Sequence, residues 1–167
     1  MPEIKTSALT VAVLACFAFS TLAADSPSTS TNTPETKPPA KKSQSELASK
    51  SATFGKVSKT NETYKGALDA HALDLALKQV DKEGSFQGNV TAIFEPRSGG
   101  LAIMNFDKNY RTALTALLKG GDFDKFPDLK TLVGKDVLVT GKFISYQGRA
   151  EIVLTNTAQI KLVEAAK

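Results

Sequence analysis

From residue 85 the side chains alternate. Phe86, Gly88, Val90, Ala92 and Phe94 fall on one face of an extended chain, and Gln87, Asn89, Thr91 and Ile93 on the other. A period of two over ten residues predicts a strand with one face buried. Residues 95–100, Glu-Pro-Arg-Ser-Gly-Gly, are turn formers and close a hairpin onto a second run at 101–106. A short connection at 107–110 leads to a third extended run at 111–118. Residues 119–135 form an irregular excursion, with one helical turn expected at 128–132. Alternation resumes at 136–146, Gln147-Gly148 turns the chain, 149–156 returns, and 158–164 ends the pattern. Ahead of the strands the period is helical: Leu68, Leu73, Leu75, Leu77 and Val80, with alanines between and no Gly or Pro, predict a helix over 67–80.

The pattern therefore predicts an all-β domain with a preceding helix. It has five main strands, with a long insertion between the third and the fourth, as in a small Greek-key barrel. Gly88 and Gly141 each fall inside a strand, where glycine marks a bulge or sharp coil that lets a sheet close on itself. Placed in the first and fourth strands, they suit a five-stranded OB-fold barrel.

The polar stretch before this domain changes its boundaries. Residues 24–45 hold Ser, Thr, Pro, Ala and Lys with almost nothing to bury, and 46–66 scatter Leu47, Phe54, Val57 and Tyr64 without a sustained period. Residues 24–66 are therefore expected to be a disordered or weakly structured linker, with the domain spanning 67–167. Residues 1–23 have a lone Lys5, an apolar run at 8–19 and small residues at Thr21 and Ala23. That is the pattern of a cleaved signal peptide, too short to be a permanent transmembrane span. An exported protein, periplasmic or secreted, is expected. Val13-Leu14-Ala15-Cys16 loosely resembles a lipobox, so a lipid anchor through Cys16 is the lesser alternative. Cys16 is the only cysteine; once it is cleaved away no disulfide can form.

Charge is unevenly placed. The chain is +4. Residues 67–167 carry 13 basic and 12 acidic residues, a net of +1, whereas 24–66 carry 7 and 4, a net of +3. The basic character belongs to the linker, and a near-neutral domain lacks the footprint of phosphate-dominated binding.

Catalytic chemistry finds no foothold. His71 is the only histidine, which leaves no Ser/His/Asp set and no zinc constellation; it is expected on the surface. Asp122, Asp124 and Asp128 lack the spacing and turn glycine of a calcium loop, and no glycine-rich phosphate loop precedes a helix. The sequence predicts a non-enzyme without cofactor or metal, expected as a monomer.

Several short motifs then accumulate: Gly88-Asn89-Val90, Asn105-Phe106 near Asp107 and Tyr110, Gly134-Lys135 through Gly141-Lys142, Tyr146-Gln147-Gly148-Arg149, Glu151-Ile152 and Gln159-Ile160. Over residues 80–164 the chain resembles the bacterial OB-fold domains grouped as nucleic-acid-binding. The resemblance implies a non-catalytic barrel that takes single-stranded DNA or RNA in its cleft. The near-neutral charge and exported location suit instead an envelope module that binds protein, glycan or a small ligand. Candidate contacts are Arg97 in the first hairpin, Asn105, Asp107, Tyr110 and Arg111 at the exit of the second strand, and Tyr146 and Arg149 at the last turn. Tyr110 and Tyr146 are the expected exposed aromatics; Phe94 and Phe106 are expected in the core. Arg149 and Glu151 share a strand face. Either they pair with each other or with neighbours to hold the end of the barrel, or Arg149 joins an aromatic platform on which a base stacks. Gln159 is expected to satisfy backbone groups, with Ile160 returning to the core.

Overall fold

The computed structural model describes residues 41–164. Nine strands make one mixed, curled sheet: β1 (Gly55–Ser58), β2 (Leu68–Asp69), β3 (Glu83–Asn89), β4 (Ala92–Phe94), β5 (Leu101–Asn105), β6 (Thr115–Lys119), β7 (Asp136–Tyr146), β8 (Arg149–Leu154) and β9 (Ile160–Glu164). The helices are single turns: α1 (Gln44–Leu47), α2 (Glu62–Lys65) and α3 (Leu73–Leu77), with 3-10 turns at Gly120–Lys125, Leu129–Leu132 and Thr157–Gln159.

The sheet curls because its two longest runs change partners midway. The run 85–94, expected as one strand, begins at Glu83 and bends at Val90 and Thr91. Val90 leaves the ladder to bond the Gly134–Lys135 turn in both directions, while Thr91 N–H donates to the Asn105 carbonyl. Before the bend β3 pairs antiparallel with β7; after it β4 pairs antiparallel with β5. β7 does the same, giving residues 136–142 to β3 and 143–146 to β8. Gly141, between the two halves, has φ +153°, and a Cβ there would lie 2.7 Å from Gln159 Nε2 and 2.9 Å from Ile152 Cγ2. Both the bend and the close approach require glycine. Round the curl the pairs continue as β5–β6 antiparallel, β6–β8 parallel and β8–β7 antiparallel. This order is consistent with an OB-like barrel, built with nine strands where five were expected. The excess comes from the split of 83–94, the short β2, β9 beside β7, and β1 beside β9.

The core lies inside the curl. Phe86, Met104, Leu118, Phe143, Ile152 and Leu154 are fully buried, as is Ile160. Phe86 and Phe106 meet edge to face at 5.0 Å. Phe123, Phe126, Leu129 and Leu132 from the 119–135 excursion also pack here, so the insertion supplies part of the core.

Two expectations are corrected. The helix over 67–80 is replaced by β2, which pairs parallel with Phe86 and Gln87 of β3, then a turn, then the five residues of α3. The periodic residues divide: Leu68, Leu73 and Val80 pack partly buried against the core, Leu75 and Leu77 are exposed, and the fully buried residues are Ala70 and Ala76. Asp69 Oδ1 accepts from the His71 backbone N–H at 2.8 Å, a local turn that competes with helix. Ala70 bonds the backbone of Gln87 and Leu114.

The linker boundary also moves. Residues 44–66 are part of the body, through polar bonds that composition does not reveal. Ser43 and Glu46 form a capping box on α1. The fully buried Gln44 donates from Nε2 to the Pro127 carbonyl at 3.0 Å and accepts at Oε1 from Leu129 N–H at 3.0 Å. β1 pairs parallel with β9 and buries Val57. The expected signal peptide, Cys16 and residues 24–40 lie outside the described residues. Among the described residues no helix is long and apolar enough to cross a membrane.

Candidate binding groove

In β5, β6 and β8, alternate residues enter the core: Ala102 and Met104, Ala116 and Leu118, Ile152 and Leu154. Their neighbours face the other way, and these are not all polar. They line a groove of about 760 Å³. Register sets its floor in rows. Phe94 pairs with Ile103, Ile103 with Leu117, and Leu117 with Val153, a row of four apolar side chains. The next row is polar, Asn105 beside Thr115 beside Glu151, and ends at Ile144. Leu101 and Lys119 pair at the far end.

One rim is built from the segment between β5 and β6. Asp107 Oδ1 accepts from Asn109 N–H at 2.8 Å and Asn109 Oδ1 accepts from Arg111 N–H at 3.2 Å, two successive side-chain turns that delay β6 to Thr115, where extended chain was expected from 111. Exposed His71 bridges Asp69 Oδ1 at 3.0 Å and Asp107 Oδ2 at 3.1 Å, tying this segment to β2. The two carboxylates, Asp69 first, raise the imidazole pKa.

The segment presents Tyr110 at the mouth. Arg149, at the start of β8, donates from Nη1 to the Tyr110 carbonyl at 2.7 Å, and its guanidinium carbon lies 5.1 Å from the Tyr110 ring centroid. Arg111 donates from Nε to Tyr110 Oη at 3.2 Å. Across the Gln147–Gly148 turn, Tyr146 pairs with Arg149 in the ladder. Tyr110, Tyr146 and Phe94 are 47%, 54% and 54% exposed. Each is therefore partly open to solvent, with both Arg149 and Arg111 packed over the Tyr110 ring.

Glu151 is buried among these groups. Burial pushes its carboxyl above the usual range, opposed by the Thr115 hydroxyl and the Arg149 charge. Thr115 Oγ1 donates to Glu151 Oε2 at 3.4 Å. Of the two pairings expected for an architectural role, with each other or with neighbours, the structure shows the second: Arg149 is engaged with Tyr110 and Glu151 with Thr115.

Of the sequence candidates, Asn105, Tyr110, Tyr146 and Arg149 come together in the groove. Arg111 sits beside Tyr110 on the rim. Arg97 is exposed in the β4–β5 turn and does not line the groove. Asp107 serves the rim segment. Phe106 is in the core as expected, but Phe94 is not: it lies on β4 after the bend and faces the groove. Phe94, Lys119 and the outward aliphatics Ile103, Leu117 and Val153 were missed. Their signal is in the sequence, since 101–106 and 115–118 are apolar on both faces, more than a sheet with one wet face requires.

No family model matches the sequence, and no curated protein does. Among solved structures, aspartyl tRNA synthetase from Entamoeba histolytica is similar, with a TM-score of 0.47 and 15% identity over 72% of this chain and 27% of that chain. The chain thus spans about a quarter of that protein's length.

Proposed function

We propose that the protein is an exported, non-catalytic, monomeric OB-like module that binds single-stranded nucleic acid in the groove. The observation that carries this reading is the Tyr110–Arg149 platform: a guanidinium held over an exposed ring at the mouth of a cleft, facing Tyr146 on the adjoining turn. A base stacks on such a ring whatever its identity, and the cations beside it meet the strand's phosphates. No cofactor or metal is needed for this role. The aliphatic row Ile103, Leu117 and Val153 favours a second reading, an envelope module that takes an apolar group of a protein, glycan or small ligand.

Fluorescence anisotropy of a labelled single strand with the full chain separates them. Tyr110→Ala and Tyr146→Ala are expected to weaken binding about tenfold each, since base stacking contributes about 1–3 kcal/mol, with unchanged melting. Unchanged affinity in both variants would leave the second reading.

A further inference from the structure

The polar row on the groove floor is short of hydrogen-bond donors. Thr115 has one hydroxyl proton and directs it to Glu151 Oε2 across a long 3.4 Å contact. Asn105 Oδ1, on the residue directly opposite Thr115 in the β5–β6 ladder, is buried and accepts nothing from the described residues. Glu151 is 5% exposed, yet among the described residues no cation lies within ion-pair distance of it. Buried acceptors left this way are costly and rare. Both of these line an open groove, where a ligand can bring what the protein omits.

The missing partner is a planar edge with two adjacent N–H groups, which meets both oxygens of one carboxylate. Among the bases this is guanine, through N1–H and the 2-amino group. Adenine places an acceptor beside its amine, and thymine flanks its single N–H with two carbonyls that a carboxylate repels. A guanidinium has the same fork, but the groove opposes it: Arg149 and Lys119 line it against a single carboxylate, Glu151. That charge balance favours an anionic strand over a cationic peptide.

Resting on the nucleic-acid reading above, we infer that Glu151, with Thr115 and Asn105 behind it, is a guanine-selecting subsite. The carboxylate accepts N1–H and N2–H of one guanine of the bound strand. The Thr115 hydroxyl, freed from Glu151, turns to the orphaned Asn105 Oδ1. Binding then satisfies both acceptors at once, which makes the subsite selective as well as adhesive.

The test uses the full chain and labelled thymidine strands with one central dG, deoxyinosine or dA; a single guanine cannot form four-stranded structures. The dG strand is expected to bind about tenfold tighter than the dA strand, the scale of one bidentate base contact. The inosine strand, which lacks only the 2-amino group, should lose most of that gain. Glu151→Gln is expected to erase the dG preference, read as the ratio of dG-strand to dA-strand affinity within the variant. Thr115→Val, which keeps the shape, should reduce the preference and serves if Glu151→Gln does not fold. Equal binding of the three strands by the natural protein, with Tyr110 still required, would overturn the subsite and leave the groove reading standing. So would a preference that survives both substitutions. Loss of all groove-dependent strand binding removes both readings. Capture of an arginine-rich peptide through Glu151, in place of a strand, would overturn the inference in favour of a cationic ligand.

Discussion

Two places in the sheet treat their polar side chains in opposite ways. At the corner where β7, β8 and β9 meet, Gln159 is satisfied at both ends of its amide. Its Oε1 accepts from Thr155 N–H at 2.7 Å, Thr155 Oγ1 at 3.1 Å and Asn156 N–H at 3.1 Å, and its Nε2 donates to the Thr140 and Val153 carbonyls, each at 3.2 Å. On the groove floor, Asn105 Oδ1 has no partner among the described residues and Glu151 has one long contact. A saturated amide specifies a corner of the fold; acceptors left open at the base of a cleft define what the cleft can hold. The contrast separates architecture from binding within one sheet.

The largest expected effect lies at the saturated corner. Gln159→Ala removes five bonds, two of them partly buried, and should lower stability by about 2 kcal/mol, read as a fall in the denaturant midpoint. Strand affinity of the folded fraction should not move. A groove defect in this variant would erase the distinction between the two regions.

Arg149→Ala tests the rim. It takes a cation from the mouth and a donor from the Tyr110 carbonyl, so affinity for a single strand should drop several-fold. The plot of log affinity against log salt should also flatten by about 0.7, one phosphate contact fewer on a single strand. An unchanged slope would make Arg149 a brace for Tyr110 alone.

The smallest effect is the most diagnostic of the floor. Burial raises the Glu151 pKa above its ordinary 4.5. A raised carboxyl contributes stability that is fully present below the unfolded value and is lost as pH rises through the folded value. Once Glu151 is ionised, the natural protein carries a buried charge that a neutral amide would not. Glu151→Gln should melt higher than the natural protein at pH 7, and the gap should close as pH falls toward 4.5. A lower melting temperature at pH 7 would show the carboxylate to be a paired, architectural group like Gln159.

Residue patterns made the strands legible where alternation was strict. The run 136–146 matches β7 residue for residue, and Gln159 with Ile160 behaves as the final motif implies. Legibility failed where backbone bonding overrode side-chain period. The Asp69–His71 turn and the Gly88–Ala70 contact (a Cβ on Gly88 would lie 2.8 Å from Ala70 Cβ) break a helix that five leucines and valines favour. Gln44 docks a segment too polar to signal folding, because one buried amide can bond two backbone groups of the excursion. Of the site, Tyr110, Tyr146, Arg149 and Asn105 were visible as chemistry next to turns. Phe94 was not, because a bend at Val90 decides which face it takes, and no period records a bend.

The most direct measurement is a two-dimensional amide spectrum of the full chain titrated with a short single strand. Shifts are expected at Ile103, Asn105, Leu117, Tyr146, Arg149 and Val153, along the groove and its rim, with Gln159 and its partners unmoved. Shifts confined to the lysine-bearing stretch 41–66, with the groove residues silent, would show binding by the basic segment alone and contradict a groove that holds the strand.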